Sequence, residues 1–164
     1  MVKKVVLLVA GLICLAGVAA AEPTGYGISF GYGDADPDID IYRIGLKKDF
    51  PAKWFKTSVG YLSGYFELSY NHWEWNSQDI DAVAFSPVFA YYFGDESNTI
   101  RPYIEGGIGG AYLDEYRIAD RNLSSNLQFE DRVGIGARVG FVDINFRYMH
   151  YSNASLKEPN HGID

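Results

Sequence analysis

The chain has 164 residues, enough for one domain, and its 48% apolar and 16% aromatic residues are diluted by polar ones to a mean hydropathy of −0.11. Fourteen Lys and Arg stand against 21 Asp and Glu, a net charge of −7, which argues against nucleic acid as a partner. The single cysteine, Cys14, lies in the first apolar run, so no disulfide framework is expected.

The opening "MVKKVVLLVAGLICLAGVAAAEP" joins Lys3-Lys4, an apolar run from Val5 and an Ala19-Ala20-Ala21 site. That organisation is a secretory signal peptide over residues 1–21, leaving 22–164 as the mature domain. The competing reading is an uncleaved anchor, because the run is close to the minimum length of a helical span. Cleavage removes Lys3 and Lys4 and moves the net charge from −7 to −9.

After the signal, alternation recurs and no segment keeps a helical period. In "GYGISFGYG" Tyr26, Ile28, Phe30 and Tyr32 share one face, with only Gly27, Ser29 and Gly31 opposite. Tyr42, Ile44 and Leu46 alternate with Arg43, Gly45 and Lys47; Leu62, Phe66, Leu68 and Tyr70 with Ser63, Glu67, Ser69 and Asn71. A fourth strand carries Val83, Phe85, Phe89, Tyr91 and Phe93, and a fifth carries Ile100, Ile104, Ile108 and Tyr112 against Arg101 and Glu105. The sixth sets Phe129, Val133, Ile135 and Val139 against Glu130, Arg132 and Arg138, and the seventh is "VDINFRYMHYS".

A soluble sandwich would solvate the charged faces. An outer-membrane barrel instead turns the apolar faces to lipid and fills a narrow lumen with glycines and paired charges. The signal peptide, the strand lengths and the aromatics near strand ends (Tyr32, Tyr70, Trp73, Trp75, Phe93, Tyr112) favour the barrel. Glu67, Glu105 and Glu130 are expected to pair with Arg101, Arg132 and Arg138 as a plug. The connections "DADPDID", "HWEWNSQDI" and "LDEYRIADRNLSSN" are expected to be the polar outer loops.

The fold expected is therefore all-β, an eight-stranded antiparallel outer-membrane β-barrel. Seven strands are countable, and barrel closure calls for one more. The last strand is expected to be missing from this chain through C-terminal truncation.

In the seventh strand, Val142, Ile144, Phe146 and Tyr148 face lipid, and period-two counting puts His150 and Ser152 next on that face. A polar group facing lipid without a partner costs a few kcal/mol, so these two break the pattern for a reason. Their Cα atoms stand about 6.6–7 Å apart by strand rise, near enough for a ring nitrogen and a hydroxyl to meet. A serine becomes nucleophilic when such a base takes its proton, and the base needs a third group to fix its tautomer. Asp164 is placed to be that carboxylate. On spacing alone, an interfacial His and Ser at a strand end is the stronger reading, because H-x-S is a weak motif.

The ending "HYSNASLKEPNHGID", preceded by "NLSSNLQFEDRVGIGAR", "FSPVFAYYF" and "RPYIEGGIG", resembles the lipid A 3-O-deacylases of the PagL type over most of the mature chain. The resemblance implies an outer-membrane serine esterase that removes the acyl chain at the 3 position of lipid A, working at the outer leaflet. It implies Ser152 as nucleophile, His150 as general base, Asp164 as the acid where the family has Glu, and Asn160 as the oxyanion-hole donor helped by backbone amides after Ser152. Lipid A in lipopolysaccharide is then the substrate and outer-membrane lipids are the surroundings; a homodimer is compatible with this, and no cofactor is expected. The alternative is a non-catalytic small barrel with a structural or adhesive role.

Other motifs are weaker. Asp34, Asp36, Asp38 and Asp40 start like a calcium loop, but Ile39 stands where the turn glycine belongs and Gly45 where the bidentate Glu belongs. A solvated loop is the stronger reading, with cation bridging to lipid A phosphates the lesser one. His72 and His161 have no second ligand at metal spacing, so no metal site is expected.

Overall fold

The computed structural model describes residues 17–21 and 25–164. Its strands are β1 Gly17–Ala21, β2 Tyr26–Ala35, β3 Ile39–Asp49, β4 Gly60–Trp75, β5 Gln78–Phe93, β6 Ile100–Leu113, β7 Arg117–Ile118, β8 Arg121–Asn122, β9 Leu127–Val139 and β10 Val142–Ser152. β7 and β8 form a small hairpin, and the other eight close an antiparallel barrel in the order β1-β10-β9-β6-β5-β4-β3-β2. Seven of these staves are the strands expected from alternation.

The seam between β10 and β2 is spanned by residues assigned above to the signal peptide. Gly17 to Ala20 pair with Asn145 to Val142 of β10, and Val18 to Ala21 with Phe30 to Gly27 of β2. Cleavage after Ala21 would take this stave away, and both edges would then require another partner, because unpaired backbone groups are costly in lipid. The remainder of the signal assignment, residues 1–16, lies outside the described residues. At the outer end of the same seam, Ile163 pairs with Tyr151.

The alternation has the expected polarity. Phe30, Ile44, Leu68, Phe85, Ile104, Val133 and Phe146 are all exposed, while Arg43, Glu67, Glu105, Glu130, Arg132 and Arg147 are buried in the lumen. An apolar exterior around a charged interior is the reverse of a soluble protein and suits a bilayer.

The plug keeps one of its expected cations, Arg132, and replaces the other two. Arg43 bonds Glu130 and Glu67, each at 2.9 Å, Arg132 reaches both carboxylates, and Arg147 bonds Glu105 at 2.7 Å. Arg101 and Arg138, expected partners of the glutamates, are instead cross-strand neighbours of one another at the inner end. There Arg138 bonds Asp49 at 2.9 Å and Arg101 donates to the Tyr61 hydroxyl at 3.4 Å. Parity sets which face a side chain takes, but strand tilt and stagger set its height in the lumen.

The outer connections also need correction. Only residues 36–38 join β2 to β3, and only 76–77 join β4 to β5, because the strands run on through the stretches read as loops. They can do so because the lumen becomes apolar at this end. Ile39, Trp73, Ile80, Leu113, Ile118 and Leu123 form a buried cap, so inward apolar residues keep alternating past the bilayer. Asn76 takes the left-handed φ of 54° that the two-residue turn needs. The connection over residues 114–126, which carries β7 and β8, is the long one at this end.

Candidate active site

β10 brings the site residues to the outer rim. Its inward residues anchor it: Met149 and Tyr151 are buried, the Tyr151 hydroxyl donates to Glu130 at 2.7 Å, and its ring meets Trp73 edge-on at 4.8 Å. The residues between, His150 and Ser152, take the outward parity of Ile144 and Phe146 and are thereby held by the lumen network from behind.

The chain then reverses. Asn153 to Leu156 make a tight turn, with Leu156 N–H donating to Asn153 O at 3.0 Å and positive φ at both central residues, Ala154 (51°) and Ser155 (58°). That is the type I′ signature. Asn153 is 2% exposed, and its amide donates to Leu123 O at 2.7 Å and Lys157 O at 2.9 Å. Ser124 Oγ donates to Pro159 O at 2.6 Å, and His161 N–H to Asn122 O at 3.3 Å. Tyr151 and Ile163 exchange backbone hydrogen bonds of 2.8 and 3.0 Å. The 122–124 segment, which the sequence presents only as part of a polar outer loop, thus fixes the path of the ending.

This path brings Asp164 to His150. Asp164 Oδ1 lies 2.6 Å from His150 Nδ1 and accepts from the Tyr148 hydroxyl at 2.6 Å. Burial opposes the charge of Asp164, but the hydrogen bonds from Tyr148 and His150 outweigh it and hold the carboxyl below its ordinary range. With the acid ionised, Nδ1 is the donor, and in the neutral ring Nε2 is then the nitrogen with the lone pair. Asp131, the cross-strand neighbour of His150 on β9, is a second carboxylate on this face, but the ring bonds Asp164.

Ser152, 8% exposed, sits two residues from His150, and among the described residues its hydroxyl makes no hydrogen bond to the ring. Such contacts are commonly loose before substrate binds. Asn160 accepts the Asn153 N–H at 3.2 Å through Oδ1. The amide immediately after Ser152, expected as an oxyanion helper, is therefore already engaged. The same bond fixes the Asn160 side chain beside the residue that follows Ser152, and among the described residues its NH₂ makes no hydrogen bond.

A family model described as "Lipid A 3-O-deacylase (PagL)" matches residues 40–164. The chain belongs to the lipid A 3-O-deacylase (PagL) family. It is 38% identical to a Pseudomonas aeruginosa protein named Lipid A deacylase PagL, over 98% of this chain and 94% of that one. It is 32% identical to a Bordetella bronchiseptica protein of the same name, over 94% and 88%. A crystal structure of the outer membrane enzyme PagL superposes with a TM-score of 0.75 at 35% identity, covering 92% of this chain and 93% of that one. Within this PagL-family barrel the other histidines sit elsewhere: His72 bonds Asp81 and Glu74 on the far wall, and His161 meets the 120–122 backbone. Of the aspartates near the first turn, Asp36 pairs with Arg121 and Asp40 accepts from Tyr32.

Gly162 makes one prediction. Its φ is +63°, and a Cβ there would lie 3.0 Å from His150 Cε1. Gly162→Ala would strain the backbone by about 1–2 kcal/mol and push the ring. Turnover is expected to fall roughly tenfold, with heat-modifiable gel mobility showing the barrel intact.

Proposed function

We propose that this chain hydrolyses the ester-linked acyl chain at the 3 position of lipid A, with Ser152 as nucleophile, His150 as general base, Asp164 as orienting acid and Asn160 as oxyanion donor. The observation that carries the reading is the 2.6 Å bond between His150 Nδ1 and Asp164 Oδ1, two residues before a serine on the same face. It leaves Nε2 as the acceptor a serine proton needs.

Ser152 Oγ attacks the ester carbonyl carbon while His150 Nε2 takes its proton. The tetrahedral oxyanion is held by the Asn160 NH₂, and the sugar oxygen leaves with the proton from the imidazolium, giving an acyl-serine. Water, deprotonated by the same nitrogen, attacks that ester, and the fatty acid departs as Ser152 regains a proton. A site on the outer wall suits a substrate that resides in the bilayer and arrives laterally.

The test is the full chain in detergent with purified lipid A. Release of one 3-linked acyl chain is expected, at a rate that a divalent-cation chelator leaves unchanged. Intact lipid A beside a folded barrel would instead support the structural or adhesive reading. Asn160→Ala should cost roughly 10²- to 10³-fold in kcat. Asn153→Ala removes the bonds that carry the turn and should lower the folded fraction as well.

A further inference from the structure

We propose that Tyr148 is a positioning residue of this site: its hydroxyl clamps Asp164, and through it the His150 ring, so that Nε2 is presented to Ser152. The inference rests on the esterase reading above.

Three observations carry it. First, Tyr148 and His150 converge on one atom, each 2.6 Å from Asp164 Oδ1. They stand two positions apart on the outward face, so a single oxygen bridges them. A carboxylate holding an imidazole through one oxygen is free to swing about its own side-chain torsions, and a second donor to that oxygen removes the freedom. Second, Asp164 is a short acid where the resemblance leads one to expect Glu, and its backbone is tied to β10 one residue earlier, at Ile163. The reach is limited, which makes a clamp on the carboxylate worth more.

Third, the barrel builds the same arrangement again on the opposite wall. On β4 the Tyr70 hydroxyl donates to Asp81 Oδ1 at 2.6 Å, and His72 Nδ1 lies 2.7 Å from that same oxygen. The spacing Tyr-x-His is identical. What differs is the next outward residue: Glu74 stands where β10 has Ser152, and His72 Nε2 bonds it at 3.3 Å. The Tyr-x-His clamp on an aspartate oxygen is thus a geometry that these strand ends form in two places, and only the β10 copy is followed by a hydroxyl. The β4 copy is a built-in control.

The experiment measures acyl release from lipid A by the full chain, with kcat normalised to the folded fraction from heat-modifiable mobility. Tyr148→Phe should lower kcat roughly tenfold with KM unchanged, as expected for one lost hydrogen bond to a charged group. In an Asp164→Ala background it should cost nothing further. Tyr70→Phe should leave kcat as it was. Should Tyr148→Phe impair folding, Tyr148→Met serves the same comparison. Full activity in Tyr148→Phe, a loss additive with Asp164→Ala, or an equal loss in Tyr70→Phe would each overturn the inference. Activity surviving in Ser152→Ala would overturn the esterase reading and this inference with it; a dead Ser152→Ala beside a full-rate Tyr148→Phe overturns this inference alone.

Discussion

Ser152→Ala is expected to lower deacylation by roughly 10³-fold or more while leaving the barrel folded, and His150→Ala to match it. The hydroxyl has outward parity and supports none of the lumen network, and the imidazole projects beside it, so neither change opens a cavity in the plug. The Ser152→Ala/His150→Ala double variant should be no worse than either single one, because a nucleophile without its base and a base without its nucleophile fail at the same step. Additive losses, measured as kcat on lipid A, would show that the two residues serve different steps.

The second large effect is on stability. Among the buried residues, Arg43, Lys47, Arg132 and Arg147 balance Glu67, Glu105, Glu130 and Asp143. Glu67 is the carboxylate that Arg43, Arg132 and Arg147 approach together. Glu67→Gln keeps the volume and leaves one uncompensated buried cation, which should destabilise the barrel by about 3–5 kcal/mol. Pairing it with Arg132→Met restores the balance and should recover much of the loss, because exchanging a buried ion pair for apolar volume is often close to neutral. The temperature at which the heat-modifiable band disappears reads both. Equal melting of Glu67→Gln and the wild-type chain would mean that water reaches the plug.

The same plug shows what a linear sequence can convey. The staves were legible because contrast between faces is extreme: Tyr26, Ile28, Phe30 and Tyr32 oppose only glycines and a serine. Which charge meets which was not, since Arg138 and Glu130 share a strand and a face yet bond at opposite ends of the lumen. The outer loops were overestimated because polar residues such as Asp79 and Asp81 alternate with Ile80, which packs within the cap rather than against lipid. Gly17–Ala21 carries no alternation of large and small residues and reads as a cleavage region, so its place in the seam was invisible.

At the site, His150 and Ser152 were legible as a break in the lipid face. Asn160 depended on the resemblance, and Asp164 was legible only as the carboxylate across the loop, because a 14-residue separation says nothing about contact until the Asn153 turn and the Ile163 pairing bring the ending back. In the sequence Tyr148 reads as one more lipid-facing residue of its strand. A tyrosine two residues before an outward histidine is a signal only once a shared acceptor is known.

The acid has its own pH signature. Because Asp164 is held below the ordinary carboxylate value of 3.8, its tie to Tyr148 and His150 persists above that pH and is lost only as pH falls through the depressed value. Protection of the Ile163 amide against hydrogen exchange should therefore survive mild acidification. Loss of activity between about pH 5 and 7 would belong to a base other than Asp164.

The most direct measurement is the mass spectrum of lipid A from cells expressing the chain beside cells expressing Ser152→Ala. Loss of a single 3-linked acyl chain with the first and none with the second is the expected pair. Unchanged lipid A in both, with the folded barrel present in the outer membrane, would contradict the assignment of an esterase to this wall.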